Sequence, residues 1–380
     1  MELEFSEEQE HLREGVRSVL ARECPMSVVR EVVAKGVAPD DLWARMVELG
    51  WPALTVPERA GGLGLGMVEL AVVVEELGRV MAPGPYLPTV TQFAPAVREA
   101  GSSEQSARFL AGVATGEATG ALALTETGGS YDPARVTATA TPDGNGAVLA
   151  GVKDAVVGAA GADEIVVVAR LPGTEGDDGV GGYVVAHDEV TVEPIASLDP
   201  SRGLARLTLD GARVEPDRIL GEPGAGTAVA LRRAVDEATT SLALEMVGTC
   251  QTIFDVTLEY AKHREQFGVP IGSFQAIQHI LADMYVRTAL ARSATYAAAA
   301  VLDDPGISDP IRASSTAKLL AGEAALENAR AAIQVHGGTG FTWEMLPNYL
   351  LKRAWVLEQL FGDSDAHAWS ISVCIEEALA

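Results

Sequence analysis

The period of the apolar residues changes twice along the chain, and no other feature of the sequence restricts the fold as strongly. Up to about residue 118 the apolar side chains recur at helical spacing in four segments, which predicts helices at 6–22, 40–50, 67–79 and 103–115. From about residue 119 they alternate with a period of two, which is typical of strands. Helical spacing returns near residue 224 in long, alanine-rich segments. This order of helices, strands and helices does not fit a parallel sheet built from βαβ units.

The same order predicts an α+β fold with three domains. We expect an N-terminal helical domain at 1–118, a middle β-barrel or sandwich domain at 119–223, and a C-terminal four-helix bundle at 224–380. Glycine-rich and aspartate-rich turns separate short strands in the middle domain, so we expect mainly antiparallel pairing. The four long helices of the bundle are expected at 225–261, 274–302, 308–335 and 347–378.

The charge balance limits the partners of the protein. The 380 residues include 28 Lys and Arg against 53 Asp and Glu, which gives a formal net charge of −25 at pH 7. Nucleic acids and anionic membrane surfaces bind positively charged faces, so we expect neither as a partner. The apolar runs are shorter than the roughly 18 residues that a membrane helix needs, so we expect no membrane span.

The cysteines and histidines do not have the spacing of ligands. Cys24, Cys250 and Cys374 lie far apart and are odd in number, which predicts neither a disulfide framework nor a zinc site and fits a cytoplasmic protein. The six histidines form no metal-binding motif, and we expect no metal. Two glycine-rich segments, 61–66 and 221–229, lack the strand-turn-helix context of a dinucleotide fingerprint and are interpreted as tight turns.

Two other segments have residue types that could approach a ligand. REQFG at 264–268 joins two predicted helices and places an arginine beside an amide, an aromatic ring and a glycine. A guanidinium can hold a phosphate through two parallel hydrogen bonds. QVHGGTGF at 334–341 would let the backbone come close to a ligand at its adjacent glycines. From the residues alone, simpler interpretations stay open, namely an acid paired with Arg264 and a helix C-cap at the glycines.

Together these segments resemble the acyl-CoA dehydrogenase family over essentially the whole chain. The resemblance is carried by FSEEQ at 5–9, LGWPALTVPERAGGLGLG at 49–66, LALTETGGSYD at 122–132, LGEPGAG at 220–226, EYAKHREQFGVPIGSFQAIQHILADM at 259–284 and QVHGGTGFTWE at 334–344. It implies FAD as the cofactor, acyl-CoA thioesters as substrates, and an oligomer built on the C-terminal bundle. It also implies an electron-transferring flavoprotein as the electron acceptor.

The resemblance assigns one group of residues to the cofactor. In the family, the matching residues reach an FAD that is bound mainly by a neighbouring subunit, and they contact its diphosphate and adenosine. In this sequence they are Arg264, Gln266, Phe267, Gln275, Gln334, Gly337 and Gly338. Arg264 is also expected, with Lys262, Lys352 and Arg353, to supply the local positive charge that an anionic cofactor needs on so acidic a chain.

The catalytic base that the resemblance implies is missing from both of its expected positions. A family glutamate removes the α-proton of the thioester while the β-hydride goes to flavin N5. An ungapped count from Gly337 puts one base position at Phe361. The other position lies 26 residues before Arg264, at Ala238. Neither side chain can accept a proton.

A second departure from the family concerns the flavin ring. The family usually has a tryptophan that covers the ring and a threonine that hydrogen-bonds near N5, and this chain has Ala155 and Val157 there. Thr125 and Glu126 match a Thr-Glu pair that borders the flavin in the family. Arg202, in the segment DPSRG, matches a family Gly-Arg segment and is expected to order a loop.

These departures lead to the hypothesis of a non-identical partnership. The chain would pair with a second, catalytic acyl-CoA dehydrogenase-like chain in a heterotetramer with fewer flavins than subunits. Such an assembly resembles the actinobacterial α2β2 enzymes that act on steroid side-chain CoA thioesters. One alternative is a self-sufficient homotetramer with a relocated base, either Glu237, one residue from Ala238, or Glu358, one helical turn before Phe361. Another is a non-catalytic scaffold or binding subunit.

Overall fold

The computed structural model describes residues 5–36 and 40–379, which fold into two compact units. The first unit contains residues 5–29, 67–82 and 239–379 and is mainly helical. The second contains residues 30–36, 40–66 and 83–238 and combines helices with β-sheets. The domain boundaries expected near residues 118 and 223 remain predictions.

Helices make up most of the described chain. Their bounds are α1 (Glu7–Glu23), α2 (Met26–Lys35), α3 (Asp40–Glu48), α4 (Met67–Arg79), α5 (Tyr86–Pro88), α6 (Ala94–Ala100), α7 (Ser103–Thr115), α8 (Ala225–His263), α9 (Gln275–Asp303), α10 (Pro310–His336), α11 (Leu346–Gln359) and α12 (Ser364–Leu379). The predicted helices at 225–261, 274–302 and 308–335 match α8, α9 and α10 to within two residues at each end. Within residues 5–36 and 40–379, every helix is too short or too polar to cross a membrane.

Two sheets form the central part of the second unit, and a separate two-stranded hairpin belongs to the first. The strands are β1 (Gly120–Ala123), β2 (Thr139–Asp143), β3 (Gly146–Ala150), β4 (Val152–Val157), β5 (Glu164–Arg170), β6 (Val180–Ala186), β7 (Thr191–Pro194), β8 (Leu204–Thr208), β9 (Ala212–Val214), β10 (Ile219–Leu220), β11 (Glu265–Gln266) and β12 (Val269–Pro270). The larger sheet has the order β10-β6-β5-β2-β3-β9, with β1 paired to β5. The smaller sheet has the order β4-β8-β7, and β11 pairs with β12.

Most strand pairs are antiparallel, as predicted, but β1 runs parallel to β5 and β2 meets β5 in parallel at a single position. The two sheets of the second unit share one apolar cluster, in which Ile165 and Val167 of β5 pack with Leu207 of β8. Burying one face of each sheet in a common core is the packing of a β-sandwich. The expected fold class, with an N-terminal helical region, a central sheet region and a C-terminal helical bundle, is therefore confirmed.

Helices α4 and α8 cross in the first unit at a pair of glycines. A Cβ added to Gly248 would lie 2.0 Å from the carbonyl oxygen of Glu75, and a Cβ added to Gly78 would lie 2.2 Å from the carbonyl oxygen of Glu245. The backbones are therefore too close for any side chain at these positions. Beside the crossing, the buried Glu245 carboxylate accepts a hydrogen bond from the buried Arg353 guanidinium at 3.0 Å.

The crossing leaves two neighbouring glutamates of α4 buried, and each has a cationic partner. Arg292 of α9 donates to the Glu75 carboxylate at 2.8 Å, and the Tyr296 hydroxyl donates to its other oxygen at 2.8 Å. Arg17 of α1 forms two hydrogen bonds with Glu76, at 2.7 and 2.9 Å. A buried carboxylate is tolerated when it is paired in this way, so these contacts join α1 and α9 to α4.

The predicted single helix at 347–378 is wrong, because the chain breaks between α11 and α12. Phe361 and Gly362 have φ angles of 57° and 96°, in the left-handed region that ends a helix. The apolar spacing continues on both sides of the break, so the helical period alone does not locate it. We call residues 360–363 the helix break. Helix α2 and the helical segment 86–100 also form where no helix was predicted.

Two buried side chains hold the carbonyl groups of the helix break. Lys318 of α10 donates to the carbonyl oxygens of Glu358 at 2.9 Å and Gly362 at 2.7 Å. His367 of α12 donates through Nε2 to the carbonyl oxygen of Phe361 at 2.9 Å, since a carbonyl oxygen can only accept. Burial lowers the pKa of His367 to about 4, so the imidazole is neutral near pH 7. These contacts fix a bulky residue in a backbone conformation that it rarely adopts.

The glycine crossing predicts a large effect for a very small side chain. We expect Gly248→Ala to lower the free energy of unfolding by about 3 kcal/mol, because the added Cβ would overlap the backbone of α4. Gly15→Ala is the matched control, since its Cβ meets nothing within 4 Å in α1. That variant should gain about 0.5–1 kcal/mol from helix propensity alone. Denaturant unfolding followed by circular dichroism compares the two, and equal effects would contradict the close crossing.

The buried Lys318 predicts a distinctive alkaline pH dependence. Burial lowers the pKa of Lys318 to about 8, although Glu358 and Asp363 oppose this shift. The ordinary lysine pKa, which the unfolded chain has, is about 10.4. Between these values the unfolded chain binds more protons, so raising the pH stabilises the wild type relative to Lys318→Met, by about 2–3 kcal/mol in total.

Unfolding free energies of the wild type and of Lys318→Met, measured from about pH 7 to about pH 10, test this expectation. Lys262→Met, at an exposed lysine of the same unit, is the matched control. A difference between the wild type and Lys318→Met that stays constant over this range would show that Lys318 does not lose its proton at a lowered pKa.

Candidate functional site

An exposed hairpin follows the end of α8 in the first unit. Strands β11 and β12 pair with Gln266 opposite Val269, and the two residues between them, Phe267 and Gly268, have φ angles of 56° and 82°. Two positive φ angles in succession form the tight two-residue turn that matches the twist of a hairpin. The turn leaves the Phe267 ring 95% exposed. An aromatic ring presented to solvent in this way is typical of a surface that another molecule covers.

A glycine turn follows the end of α10 in the same unit. Gly337 has φ 63° and ψ −146°, a backbone conformation that is essentially restricted to glycine. A Cβ at Gly337 or at Gly338 would meet no atom within 4 Å. The backbone of this turn is therefore open to solvent and free of side chains, and a ligand could approach it closely. The C-cap interpretation also holds, since the Gly337 N–H donates to the carbonyl oxygens of Gln334 and Ile333.

Tyr260 and His336 bring the hairpin and the glycine turn together. Their rings stack with centroids 4.1 Å apart, and the Tyr260 hydroxyl donates to the His336 carbonyl oxygen at 3.5 Å. His336 Nδ1 donates to the Ala332 carbonyl oxygen at 2.8 Å, and burial lowers the pKa of this histidine, so the ring is neutral. The Ile271 N–H donates to the Arg264 carbonyl oxygen at 2.8 Å and closes the base of the hairpin. Tyr260 and His336 both belong to motifs identified in the sequence, but no sequence pattern predicts that their rings stack.

All seven residues expected to contact the cofactor are exposed and belong to the first unit. We call them the hairpin surface, which consists of Arg264, Gln266, Phe267, Gln275, Gln334, Gly337 and Gly338. Its donors are a guanidinium, side-chain amides and open glycine backbone. This set of donors fits a diphosphate and an adenosine, which accept hydrogen bonds and carry negative charge.

Arg264 differs from the other cations expected to attract an anion. Lys262 lies 3.5 Å from Glu259, the Lys352 ammonium lies 3.3 Å from the centroid of the Trp343 ring, and Arg353 is buried. For Arg264, the part of the chain that the structure describes offers no carboxylate within 4.0 Å. The structure therefore does not support the interpretation in which an acid pairs with Arg264. An exposed guanidinium without an acid beside it is available to an anion.

In the second unit, Glu126 is fully engaged in structural contacts. Its carboxylate accepts hydrogen bonds from the backbone N–H of Thr137 at 2.7 Å and of Ala138 at 2.9 Å, and from the Lys153 ammonium at 2.6 Å. Burial raises the pKa of Glu126, but Lys153 and the hydrogen bonds outweigh it and lower the pKa overall. Glu126 is thus an ionised anchor for the turn between β1 and β2 and is not available as a base.

The residues at the expected ring-contact positions lie in and beside a β-bulge. Ala155 has φ 52° at the register shift between Lys153 and Val156, where β4 pairs with β8. Val157 is buried and carries no hydrogen-bonding group in its side chain. The Thr125 hydroxyl donates to the Asp154 carbonyl oxygen at 2.6 Å, next to the bulge. Arg202 lies buried at the end of a 3-10 turn, Pro200–Arg202, and its role in ordering a loop stays a prediction.

The two expected base positions are buried and carry no acid. Ala238 lies in α8 and Phe361 lies in the helix break, and both are less than one tenth exposed. The alternative candidates, Glu237 and Glu358, already have partners. Glu237 forms an ion pair with Arg98 within the second unit.

Glu358 is held in a structural role in the first unit. The buried carboxylate accepts the backbone N–H of Ser364, the first residue of α12, at 2.9 Å. It also accepts a hydrogen bond from the side-chain amide of Gln359. A carboxylate at a helix N-terminus satisfies a backbone donor and is stabilised by the helix dipole.

Comparisons with known proteins agree with this architecture. Two family models match the chain, the N-terminal domain of acyl-CoA dehydrogenase over residues 6–117 and the C-terminal domain of acyl-CoA dehydrogenase over residues 224–372. The acyl-CoA dehydrogenase IpdE2 of Mycobacterium tuberculosis is 35% identical over 350 residues, which cover 92% of this chain and 91% of that protein.

Solved structures resemble the chain over nearly its full length. The structure of the Tcur3481-Tcur3483 steroid ACAD is 31% identical, with a TM-score of 0.88 and coverage of 98% of this chain and 99% of that one. Butyryl-CoA dehydrogenase from Megasphaera elsdenii has the same fold, with a TM-score of 0.91, 22% identity and coverage of 99% and 100%. The chain therefore belongs to the acyl-CoA dehydrogenase family of FAD-dependent oxidoreductases that act on acyl-CoA thioesters.

Proposed function

We propose that this chain is one subunit of a heteromeric acyl-CoA dehydrogenase. A second, catalytic chain of the same family would hold most of the FAD and supply the base and the flavin-ring contacts. This chain would contribute the hairpin surface to that FAD. The observation that carries the proposal is the contrast between an exposed Arg264 that forms no ion pair with the described residues and the absence of a carboxylate at Ala238 and Phe361.

In this proposal the residues of this chain bind and orient the cofactor. Bound FAD would supply the acceptor for the hydride from the β-carbon of the thioester. The Arg264 guanidinium would neutralise the diphosphate, and the glycine turn would let the backbone approach the phosphate oxygens. The amides of Gln275 and Gln334 would hydrogen-bond to the adenosine. No residue of this chain is assigned the removal of the α-proton.

The assembly and the substrate class rest on one of the similar structures. The steroid ACAD to which this chain is similar bears two protein names, Tcur3481 and Tcur3483. We therefore propose a heterotetramer of two kinds of chain and a steroid side-chain CoA thioester as the substrate. An electron-transferring flavoprotein is the proposed acceptor of the electrons.

Flavin content after purification tests the division of roles. We expect the chain alone to be colourless, and the complex with a catalytic chain encoded nearby to be yellow and active. Each flavin needs one chain of each kind, so we expect about one FAD for every two chains, measured by flavin absorbance against protein concentration. A yellow homotetramer that dehydrogenates an acyl-CoA by itself would overturn the proposal. In that case the activities of Glu237→Gln and Glu358→Gln would identify the relocated base.

Substitution of Arg264 tests the hairpin surface directly. In the complex, we expect Arg264→Ala to weaken FAD binding by about 10-fold to 100-fold, because a charge-assisted hydrogen bond contributes roughly 1.5–3 kcal/mol. Arg264→Lys should recover part of the loss, since it keeps the charge without the planar fork. Arg312→Ala, at an exposed arginine of α10, is the matched control. FAD release measured by flavin fluorescence reports the affinity, and unchanged release from Arg264→Ala would remove this residue from the site.

A further inference from the structure

A groove in the first unit lies apart from the hairpin surface. It is bordered by α9, α10 and the chain around the helix break, and has a volume of about 630 Å³. Leu290, Leu320 and Leu326 contribute apolar walls. Five carboxylates and a single cation, Arg287, also line it. The carboxylates are those of Glu323, Glu327, Glu358, Asp363 and Asp365. We call this feature the acidic groove.

Three of the five carboxylates are already used within the chain. Glu358 accepts the N–H of Ser364, as described above. Glu327 pairs with Arg330 at 2.6 Å. Asp363 accepts the N–H of Ala366 at 2.8 Å, at the start of α12. Their charges are thus held in place at the groove by the fold itself.

The remaining two carboxylates have no partner among the described residues. Glu323 and Asp365 are exposed, and the described residues place neither a hydrogen-bond donor nor a cation against them. The one cation of the lining, Arg287, donates to the side-chain oxygen of Asn328 at 3.2 Å. The acidic groove therefore carries an excess of negative charge that a ligand would have to balance.

This charge selects the kind of ligand. FAD and CoA are anionic and would be repelled. Among residues 5–36 and 40–379, no group of three or more acidic, histidine or cysteine side chains is arranged to hold a metal ion. A guanidinium suits a groove with spread carboxylates and apolar walls, since it is planar, weakly hydrated and forms several hydrogen bonds at once.

Exposed apolar side chains flank the acidic groove on both sides. On α9, Leu290 is 58% exposed, and Val286, one turn earlier, is 52% exposed. On α12, Trp369 stands one turn after Asp365 and is 72% exposed. Large exposed apolar side chains are typical of a protein-protein interface, where tryptophan and arginine are enriched among the residues that contribute most of the binding energy. The ligand of the groove is thus expected to be a side chain of a protein.

A second copy of this chain fits the acidic groove poorly. A two-fold axis that passes through the groove would bring the excess carboxylates of both copies together. The net charge of −25 adds a general repulsion between copies. A non-identical chain that presents a positive charge meets neither obstacle.

We infer that the acidic groove is the docking site of the non-identical subunit, which inserts an arginine side chain between Glu323 and Asp365. The apolar residues Val286, Leu290 and Trp369 pack against apolar side chains of the same subunit. This inference rests on the proposed function, which requires a second chain, and it adds how that chain is recognised.

Charge reversal in the complex tests the docking site. We expect Glu323→Lys combined with Asp365→Lys to weaken the association with the catalytic chain by about 10-fold or more, measured by analytical ultracentrifugation. Glu323→Gln combined with Asp365→Asn should have a smaller effect in the same direction, and it covers the case in which the reversed variant does not fold. Glu14→Lys, at an exposed glutamate of α1, is the matched control and should leave the association unchanged.

A charge swap identifies the partner of the groove. Each exposed arginine of the catalytic chain is changed to glutamate, and we expect one such variant to restore binding to the doubly reversed chain. If the wild-type chains do not associate, the proposed function fails and the docking site fails with it. If they associate and the reversed and neutral variants bind as tightly as the wild type, the docking site alone is wrong.

Discussion

The close crossing of α4 and α8 at Gly78 and Gly248 is the constraint on which the first unit depends. Only hydrogen atoms fit between the two backbones there, so carbonyl groups of each helix lie against a glycine Cα atom of the other. This proximity leaves the acidic side chains next to the glycines without water, and burial of an unpaired carboxylate would cost several kcal/mol. Each of them has an arginine partner on another helix, and the arginines of α1, α9 and α11 are thereby drawn into one arrangement. The direction of α8 that results determines where its last turn, and with it the Arg264 hairpin, emerges.

Buried polar side chains support the exposed functional surfaces in the same way elsewhere in this unit. His336 and Tyr260 stack beneath the glycine turn and the hairpin, and both side chains are hydrogen-bonded. Lys318 and His367 hold the helix break, and Asp363 of the break and Asp365 of α12 line the acidic groove. A surface that binds a ligand is effective when the residues behind it are fixed by packing and hydrogen bonds. The groups that position these surfaces are therefore as important for binding as those that touch the ligand.

Much of the helical bundle could be predicted from the sequence, because long apolar periods determine α8, α9 and α10 with little help from tertiary contacts. The break near Phe361 could not be predicted in this way, since its backbone is held by contacts of the folded chain, from Lys318, which is distant in sequence, and from His367 of the following helix. Helix α2 and the segment 86–100 were not predicted. Prolines at 25, 88 and 95 lie beside or within these helical segments, and a proline favours the ends of a helix over its interior. The parallel pairing of β1 with β5 likewise depends on distant parts of the chain.

The seven residues of the hairpin surface were assigned through the family resemblance of two motifs, and their contacts with FAD stay a prediction. The sequence could not predict that Arg264 is available to a ligand, since only the fold shows that no described carboxylate forms an ion pair with it. The acidic groove also had no sequence signal. Its carboxylates come from α10, from α11 and from the chain at the start of α12, and only the packing of these elements against α9 collects them.

The distribution of charge, and not its sum, decides what this chain can bind. A net charge of −25 argues against nucleic acid as a whole-molecule partner, yet it is compatible with an anionic cofactor at one place where a guanidinium is unpaired. The same excess, concentrated at the acidic groove, is incompatible with a second anionic cofactor there and favours a cationic side chain. In the proposed complex, one surface of the chain would bind an anionic cofactor and the other would bind a cationic side chain. A homo-oligomer would have to satisfy both with identical copies, whereas a complex of two different chains can give the cofactor to one surface and a complementary arginine to the other.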